Sequence, residues 1–263
     1  EELLVQCIRK FMPWLRTIHI LLASESQAGF LATEPQGTVG PEVRLVYHRE
    51  FMPEYLLPCF NICTIEMFLH KIPGLSETFI YSNDDFFPLS PLEPSDFFRA
   101  AEPHGTLLPC QHFVEKPFPD APNIFQKFVK NGLDMVATDF GAEFPHTWLR
   151  GGHTMQPMLR STVERVCTLH ADRIAESFTV ERAARNFNQY IFPFYQHISG
   201  QYIDHTPPHR YAGPRTATAD LPGIIQSENV GIVCLNDNEC IADWKERARL
   251  VRHEIGEKLS IKN

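Results

Sequence analysis

Apolar residues recur along this chain in two rhythms, and the switches between them predict helices alternating with strands. Leu3, Leu4, Cys7, Ile8 and Phe11 fall at helical spacing up to a stop at Pro13, with Trp14 as a packing anchor. Strands are predicted at Ile18 to Leu22 and Val43 to Tyr47, separated by a Ser-, Gly-, Pro- and Thr-rich loop over residues 24–41. Phe60, Ile65, Phe68 and Leu69 outline a short helix that Pro73-Gly74 ends, and Phe79-Ile80-Tyr81 follows as a buried strand. From Pro88 to Pro122 the prolines exclude continuous helix and predict an irregular segment folded over a core, either a lid or a packed excursion. Phe125 to Val129 reads as a brief helix and Gly151-Gly152 as a turn. A strong helix is predicted from Thr154, with Met155, Leu159, Val163 and Val166 on one face. A second, aromatic helical pattern runs from Glu176 to Gln196, followed by a Pro- and Gly-rich loop over residues 200–222. Val230 to Leu235 is a last apolar strand, and residues 242–259 form a charged amphipathic helix.

Strands separated by helices predict an α/β fold with a largely parallel central sheet flanked by helices, Rossmann-like, and a helical carboxyl-terminal half. The expected organisation is one domain over residues 1–263: an α/β half at 1–90, an irregular insert at 91–150, and a helical part with a returning strand at 151–263. Two apolar strands end in acid and amide: Tyr81 is followed by Ser82-Asn83-Asp84-Asp85, and Leu235 by Asn236-Asp237-Asn238. Adjacent carboxylates repel, and at the carboxyl edge of such a sheet, where ligands bind, a divalent cation with oxygen ligands relieves them. In a parallel sheet both ends lie on one edge, so Asp84, Asp85 and Asp237 are expected to converge on one Mg²⁺ or Mn²⁺. The simpler alternative is an Asx-type turn with solvated acids.

Composition narrows the partners. A chain of 263 residues with 43% hydrophobic content builds a proper core, and a net charge of -8 supplies no general basic field for nucleic acid. No apolar run reaches the roughly 20 residues of a membrane helix, and no signal peptide is visible. Seven cysteines without a Cys-x-x-Cys pair read as reduced core thiols, which favours a reducing compartment. Glu1 enters amphipathic helical material directly, so an amino-terminal piece is expected to precede it.

Several stretches resemble the Stealth proteins, the family of bacterial capsular polysaccharide phosphotransferases and the lysosomal-enzyme N-acetylglucosamine-1-phosphotransferase. Met12-Pro13-Trp14-Leu15-Arg16, Leu57-Pro58-Cys59-Phe60-Asn61 with Ile65-Glu66, His70-Lys71-Ile72-Pro73-Gly74-Leu75-Ser76, and Phe79 to Phe87 are similar to its second region. Gly152-His153 with Gln156-Pro157 and Arg182 resemble the third, with Asn186 standing where an acid is common, and Cys234-Leu235-Asn236-Asp237-Asn238 the fourth. The family's first region, a short strand carrying an acid near the nucleotide, has no counterpart in this chain.

The resemblance implies transfer of a hexose-1-phosphate, such as N-acetylhexosamine-1-phosphate, from a nucleotide-sugar donor to a glycan acceptor hydroxyl, forming a phosphodiester in capsular or exopolysaccharide synthesis. It also implies a cytoplasmic setting, peripheral to the inner face of the plasma membrane. On this expectation Asp84, Asp85 and Asp237 serve the metal, His153 is the base and Arg182 clamps a phosphate. Asn61, Asn83, Asn236 and His70 contact substrate or orient the acids. Each has a plainer reading: His153 as a helix-start residue bonded to backbone, Arg182 paired with Glu176 or Glu181 on its own helix, His70 closing a helix end. Two rival functions remain, an ordinary nucleotide-sugar glycosyltransferase and a non-catalytic nucleotide-sugar or glycan-binding module.

Overall fold

The computed structural model describes residues 2–30, 39–103, 105–236 and 243–260. The first helix, α1 (Glu2–Phe11), leads into β1 (Thr17–Leu22) and β2 (Glu42–Tyr47), which pair in parallel. Next come α2 (Ile62–Glu66), β3 (Thr78–Tyr81) and β4 (Phe86–Pro88). The proline-rich stretch holds α3 (Pro94–Phe97), β5 (Phe98–Ala101), β6 (Thr106–Gln111) and β7 (Phe113–Pro117). Beyond it lie α4 (Ile124–Ala137), β8 (Thr147–Gly151), β9 (Gln156–Leu159), α5 (Arg160–Leu169), α6 (Ala171–Ser177) and α7 (Ile191–Ile198). The chain closes with β10 (Ile203–Asp204), β11 (His209–Ala212), α8 (Leu221–Ile225), β12 (Ile232–Leu235) and α9 (Trp244–Ser260).

The expected central parallel sheet is replaced by small sheets of mixed direction among the described residues. They are β1-β2, β10-β6-β5, β11-β12-β4, β3-β9 and β7-β8. The reason lies at Asn83-Asp84-Asp85, whose turn takes the chain out of one sheet and into another. β3 runs antiparallel to β9, whereas β4, five residues on, runs antiparallel to β12. Two helical readings are also corrected. Met155 to Leu159 is not helical: β9 occupies Gln156–Leu159 and α5 starts only at Arg160. The pattern from Glu176 to Gln196 breaks after Ser177, and an irregular loop carries residues 178–190 before α7. The brief helix at Phe125 is fourteen residues long, with an N-terminus closed by a capping box of Asn123 and Gln126.

Burial follows the strand period. Val233 on β12 faces a cluster of Cys7, Phe11, Leu221, Ile225 and Ile255, built from α1, α8 and α9. Ile232 and Cys234, its neighbours in sequence, turn to the opposite face with Phe86, Met12, Phe97 and Met155. A larger core packs α2, α4, α5 and α7 around Leu133, Met158, Val163, Ile191 and Phe194. None of the described helices is long and apolar enough to cross a membrane.

Candidate active site

The candidate cluster forms where the start of β4 meets the end of β12. Cys234 is in register with Phe86, and the Leu235 amide donates to the Asp85 carbonyl at 2.8 Å. This antiparallel pairing sets the amino-terminal edge of β4 beside the carboxyl-terminal edge of β12. Asp85 and Asn236 are therefore neighbours, as the two sequence motifs suggest, but through opposed strands rather than two parallel strand ends. Asn236 Nδ2 donates to Asp85 Oδ2 at 3.0 Å, and the Cys234 thiol donates to the same oxygen at 3.3 Å. Burial, with the Asp85 carboxylate beside it, pushes the Cys234 thiol far up, so it is a hydrogen-bond donor at neutral pH. The other carboxylate oxygen, Oδ1, is enclosed and has no hydrogen-bond partner among the described residues.

His153 reaches this edge from the turn after β8. Its ring stands edge-on to Phe86 (centroids 5.1 Å apart) and to Tyr211 of β11 (5.3 Å). The turn approaches β11 closely enough that a Cβ on Gly152 would run into the His209 imidazole, which is why glycine stands there. Tyr190 holds the same turn by donating its hydroxyl to the Gly152 carbonyl at 3.3 Å. Burial lowers the pKa of His153 from its ordinary value, with Asp85 pulling the other way and His209 adding to the decrease. A neutral imidazole at physiological pH follows, with a nitrogen free to accept a proton. Ligand atoms of Asp85, His153 and Cys234 all lie within 4.8 Å of one another. Tyr211 completes the wall, its hydroxyl donating to Asn236 Oδ1 at 3.2 Å.

The other sequence candidates are distributed as follows. Asp84 is exposed beside Asp85, Asn83 is half-buried in the same turn, and Asp237 lies outside the described residues. Asn61 is buried, caps α2 by accepting from the Cys63 amide, and donates to the Thr179 and Glu181 carbonyls. Its side chain is fully engaged within the protein. His70 sits in a 3-10 turn near Glu164 and Arg160 at the start of α5, where burial lowers its pKa. Arg182 stands exposed on the loop after α6 rather than on a helix.

One group went unnoticed as chemistry in the sequence. Glu66, at the end of α2, is buried and accepts from the Tyr81 hydroxyl at 2.7 Å and the Gln189 amide at 2.9 Å. Burial raises its pKa to about 7, against the Tyr81 and Gln189 hydrogen bonds and the nearby Arg182 charge. With its NH₂ turned toward Glu66, the Gln189 side chain donates to both oxygens (3.1 and 3.0 Å). The available signal was an acid inside the apolar run Ile62 to Leu69, a position acids rarely occupy without a partner.

Comparison with known proteins gives the following similarities. Residues 2–105 match the model of Stealth protein CR2, conserved region 2. The exopolysaccharide phosphotransferase cps2G of Lactiplantibacillus plantarum is 25% identical over 98% of this chain and 82% of its own length. The receptor polysaccharide phosphotransferase WefC of Streptococcus gordonii is 27% identical over 91% of this chain and 77% of its own. A capsular polysaccharide phosphotransferase of Neisseria meningitidis serogroup B is 29% identical over 74% of this chain, and that match spans about half (52%) of its length. The matched region contains the β3–β4 turn that supplies Asp85, and all three relatives are named as polysaccharide phosphotransferases. Over residues 2–105 the chain is similar to the second conserved region of the Stealth proteins.

Proposed function

We propose that the chain is a sugar-phosphate transferase that moves hexose-1-phosphate from a nucleotide-sugar to a glycan hydroxyl in capsule or exopolysaccharide synthesis. The observation that carries the reading is Asp85. One of its oxygens is fixed by Asn236 and Cys234, the other is enclosed without a partner, and a neutral histidine stands alongside. The relatives' names supply the reaction class.

An unpartnered buried carboxylate oxygen fits a hard cation, Mg²⁺ or Mn²⁺, with Asp85 as a ligand and Asp84 and Asp237 as the flanking acids in sequence. When bound, the cation supplies charge neutralisation on the donor diphosphate. His153 removes the proton of the acceptor hydroxyl as its oxygen attacks the phosphorus that bears the sugar. That P–O bond forms as the bond to the bridging oxygen breaks, and the nucleoside monophosphate leaves with the electron pair. Asn236 and Tyr211 hold Asp85 and His153 in place. Arg182 meets phosphate oxygens from the loop after α6. The donor sets a cytoplasmic reaction at the inner face of the plasma membrane.

Product analysis with uridine-diphosphate sugars tests this. Release of uridine monophosphate, lost in His153→Ala, is the expected result. Release of uridine diphosphate instead would mean cleavage at the sugar carbon, the reaction of a glycosyltransferase. Binding of the donor that survives Asp85→Ala without any turnover would mean a binding module.

A further inference from the structure

Three chemically unlike donors meet at the β4/β12 edge, and the transfer reaction has a use for only two. The carboxylate of Asp85, an imidazole nitrogen of His153 and Sγ of Cys234 lie within 4.8 Å of one another. Mg²⁺ and Mn²⁺ prefer oxygen ligands and do not recruit a thiol. Zn²⁺ takes carboxylate, imidazole and thiolate in one tetrahedral shell. The Cys234 Sγ to Asp85 Oδ2 separation is 3.3 Å. Zinc–sulfur and zinc–oxygen bonds of about 2.3 and 2.1 Å at a tetrahedral angle give an edge of roughly 3.6 Å.

The donors are also held in orientation. Asn236 fixes Asp85, and Phe86 and Tyr211 flank the His153 ring. Cys234 is fully buried on the middle strand of its sheet. Asp85 and His153 are half-buried and open the approach, and Asp85 Oδ1 is enclosed without a partner.

We infer that Asp85, His153 and Cys234 form a Zn²⁺ site that overlaps the transfer centre, so that zinc binding shuts the enzyme off. Coordination replaces the S–H bond of Cys234 by a Zn–S bond, and the proton passes to solvent without any redox change. Three protein ligands leave a fourth position for water. Zinc then occupies the carboxylate and the base at once, and neither serves the transfer. The binding claim stands on the geometry alone, whereas the inhibition rests on the reading of this edge as the transfer centre.

The metal-free full chain is titrated with Zn²⁺ against a chromophoric chelator, and with Co²⁺ as a spectroscopic substitute. The expected result is one zinc per chain and a cobalt–thiolate charge-transfer band. Cys234→Ser should abolish that band and weaken zinc at least tenfold, and His153→Gln should weaken zinc at least tenfold. A thiolate band that persists in Cys234→Ser would assign the metal to another cysteine and overturn the site. So would a zinc affinity unchanged in both variants. Should Cys234→Ser fail to give a folded protein by thermal melt, His153→Gln decides alone, because its side chain is half-buried outside the packed strand. Uridine monophosphate release that continues at saturating zinc overturns the inhibition. If no monophosphate is released even without zinc, the transfer reading fails while the zinc titration keeps its meaning.

Discussion

The polar clusters around Asn61 and around Asp85 differ in what is left unsatisfied. The Asn61 side chain has every polar atom answered. Its amide donates to the Thr179 and Glu181 carbonyls and to Asn186 Oδ1, and its oxygen takes the Cys63 amide. Asn186 in turn donates to the Ser177 carbonyl at 2.5 Å and accepts from the Ala183 amide at 2.7 Å. Around Asp85 the bonds stop short, with one carboxylate oxygen bonded twice and the other not at all. A closed network specifies structure, and an open one keeps binding capacity for something outside the protein. The amide at 61 and the acid at 85 belong to one matched region of sequence, and only the folded chain separates the clamp from the site.

The comparison breaks first at Asp85. Asp85→Asn is expected to cut transfer about 10³-fold, roughly 4 kcal/mol of barrier. It should leave the metal-free melting temperature unchanged or higher, because it removes a half-buried charge. Turnover assays alongside thermal melts check both, and a variant that melts well below the parent would make Asp85 a structural residue like Asn61.

Glu66 stands between the two classes, satisfied yet ionisable near neutrality. Its folded pKa is raised from 4.5 to about 7, so the stability it contributes is fully present below about 4.5 and is lost as pH rises through about 7. At one pKa unit per 1.4 kcal/mol the change amounts to roughly 3 kcal/mol at most. Denaturant unfolding at pH 5 and pH 8 should show the parent losing stability that Glu66→Gln does not lose. Parallel pH profiles for the two proteins would mean that Glu66 titrates normally.

A smaller effect is expected at the clamp. Asn61→Ala removes a helix cap and takes a donor from the part-buried Thr179 and Glu181 carbonyls of the 178–190 loop, a cost of about 2 kcal/mol. Purified enzyme held well below its melting temperature should keep most of its turnover, since Asn61 spends none of its polar atoms on the Asp85 edge. A collapse of turnover at full folding would move Asn61 into the site.

Much of this was legible in the residues and some was not, for identifiable reasons. β1, β2 and β3 appear where short β-branched and aromatic runs place them, and α9 where charge and apolar positions alternate. Asp85 and the Asn236 segment meet as their matching strand-end composition suggests. Strand direction was not legible, because an apolar run carries no sign for its partner's polarity, and the turn at Asn83 to Asp85 swaps sheets without any glycine or proline to mark it. The aromatic stretch from Phe187 to Tyr195 imitates a continuous helix, yet residues 178–190 are tied down by side-chain bonds from Asn61, 118 positions away from Thr179. No local pattern encodes a contact of that range. Cys234 read as one of several core thiols, and only the register with Phe86 turns it toward Asp85.

The finest test concerns Tyr211, which touches the site twice by different means. Its ring flanks His153 and its hydroxyl donates to Asn236 Oδ1 at 3.2 Å, while half of the residue remains exposed. Tyr211→Phe removes only the hydrogen bond, leaving Asn236 freer to rotate away from Asp85 Oδ2. A partly exposed neutral hydrogen bond of this kind contributes about 0.5–1.5 kcal/mol, so turnover should fall by roughly 2- to 10-fold with little change in melting temperature. Tyr211→Leu removes the ring as well and should shift the acid limb of the pH–rate profile upward, because a less enclosed His153 returns toward its ordinary pKa. Equal turnover and an equal pH profile in both variants would show that the open cluster is organised by β4 and β12 alone, with β11 only a bystander.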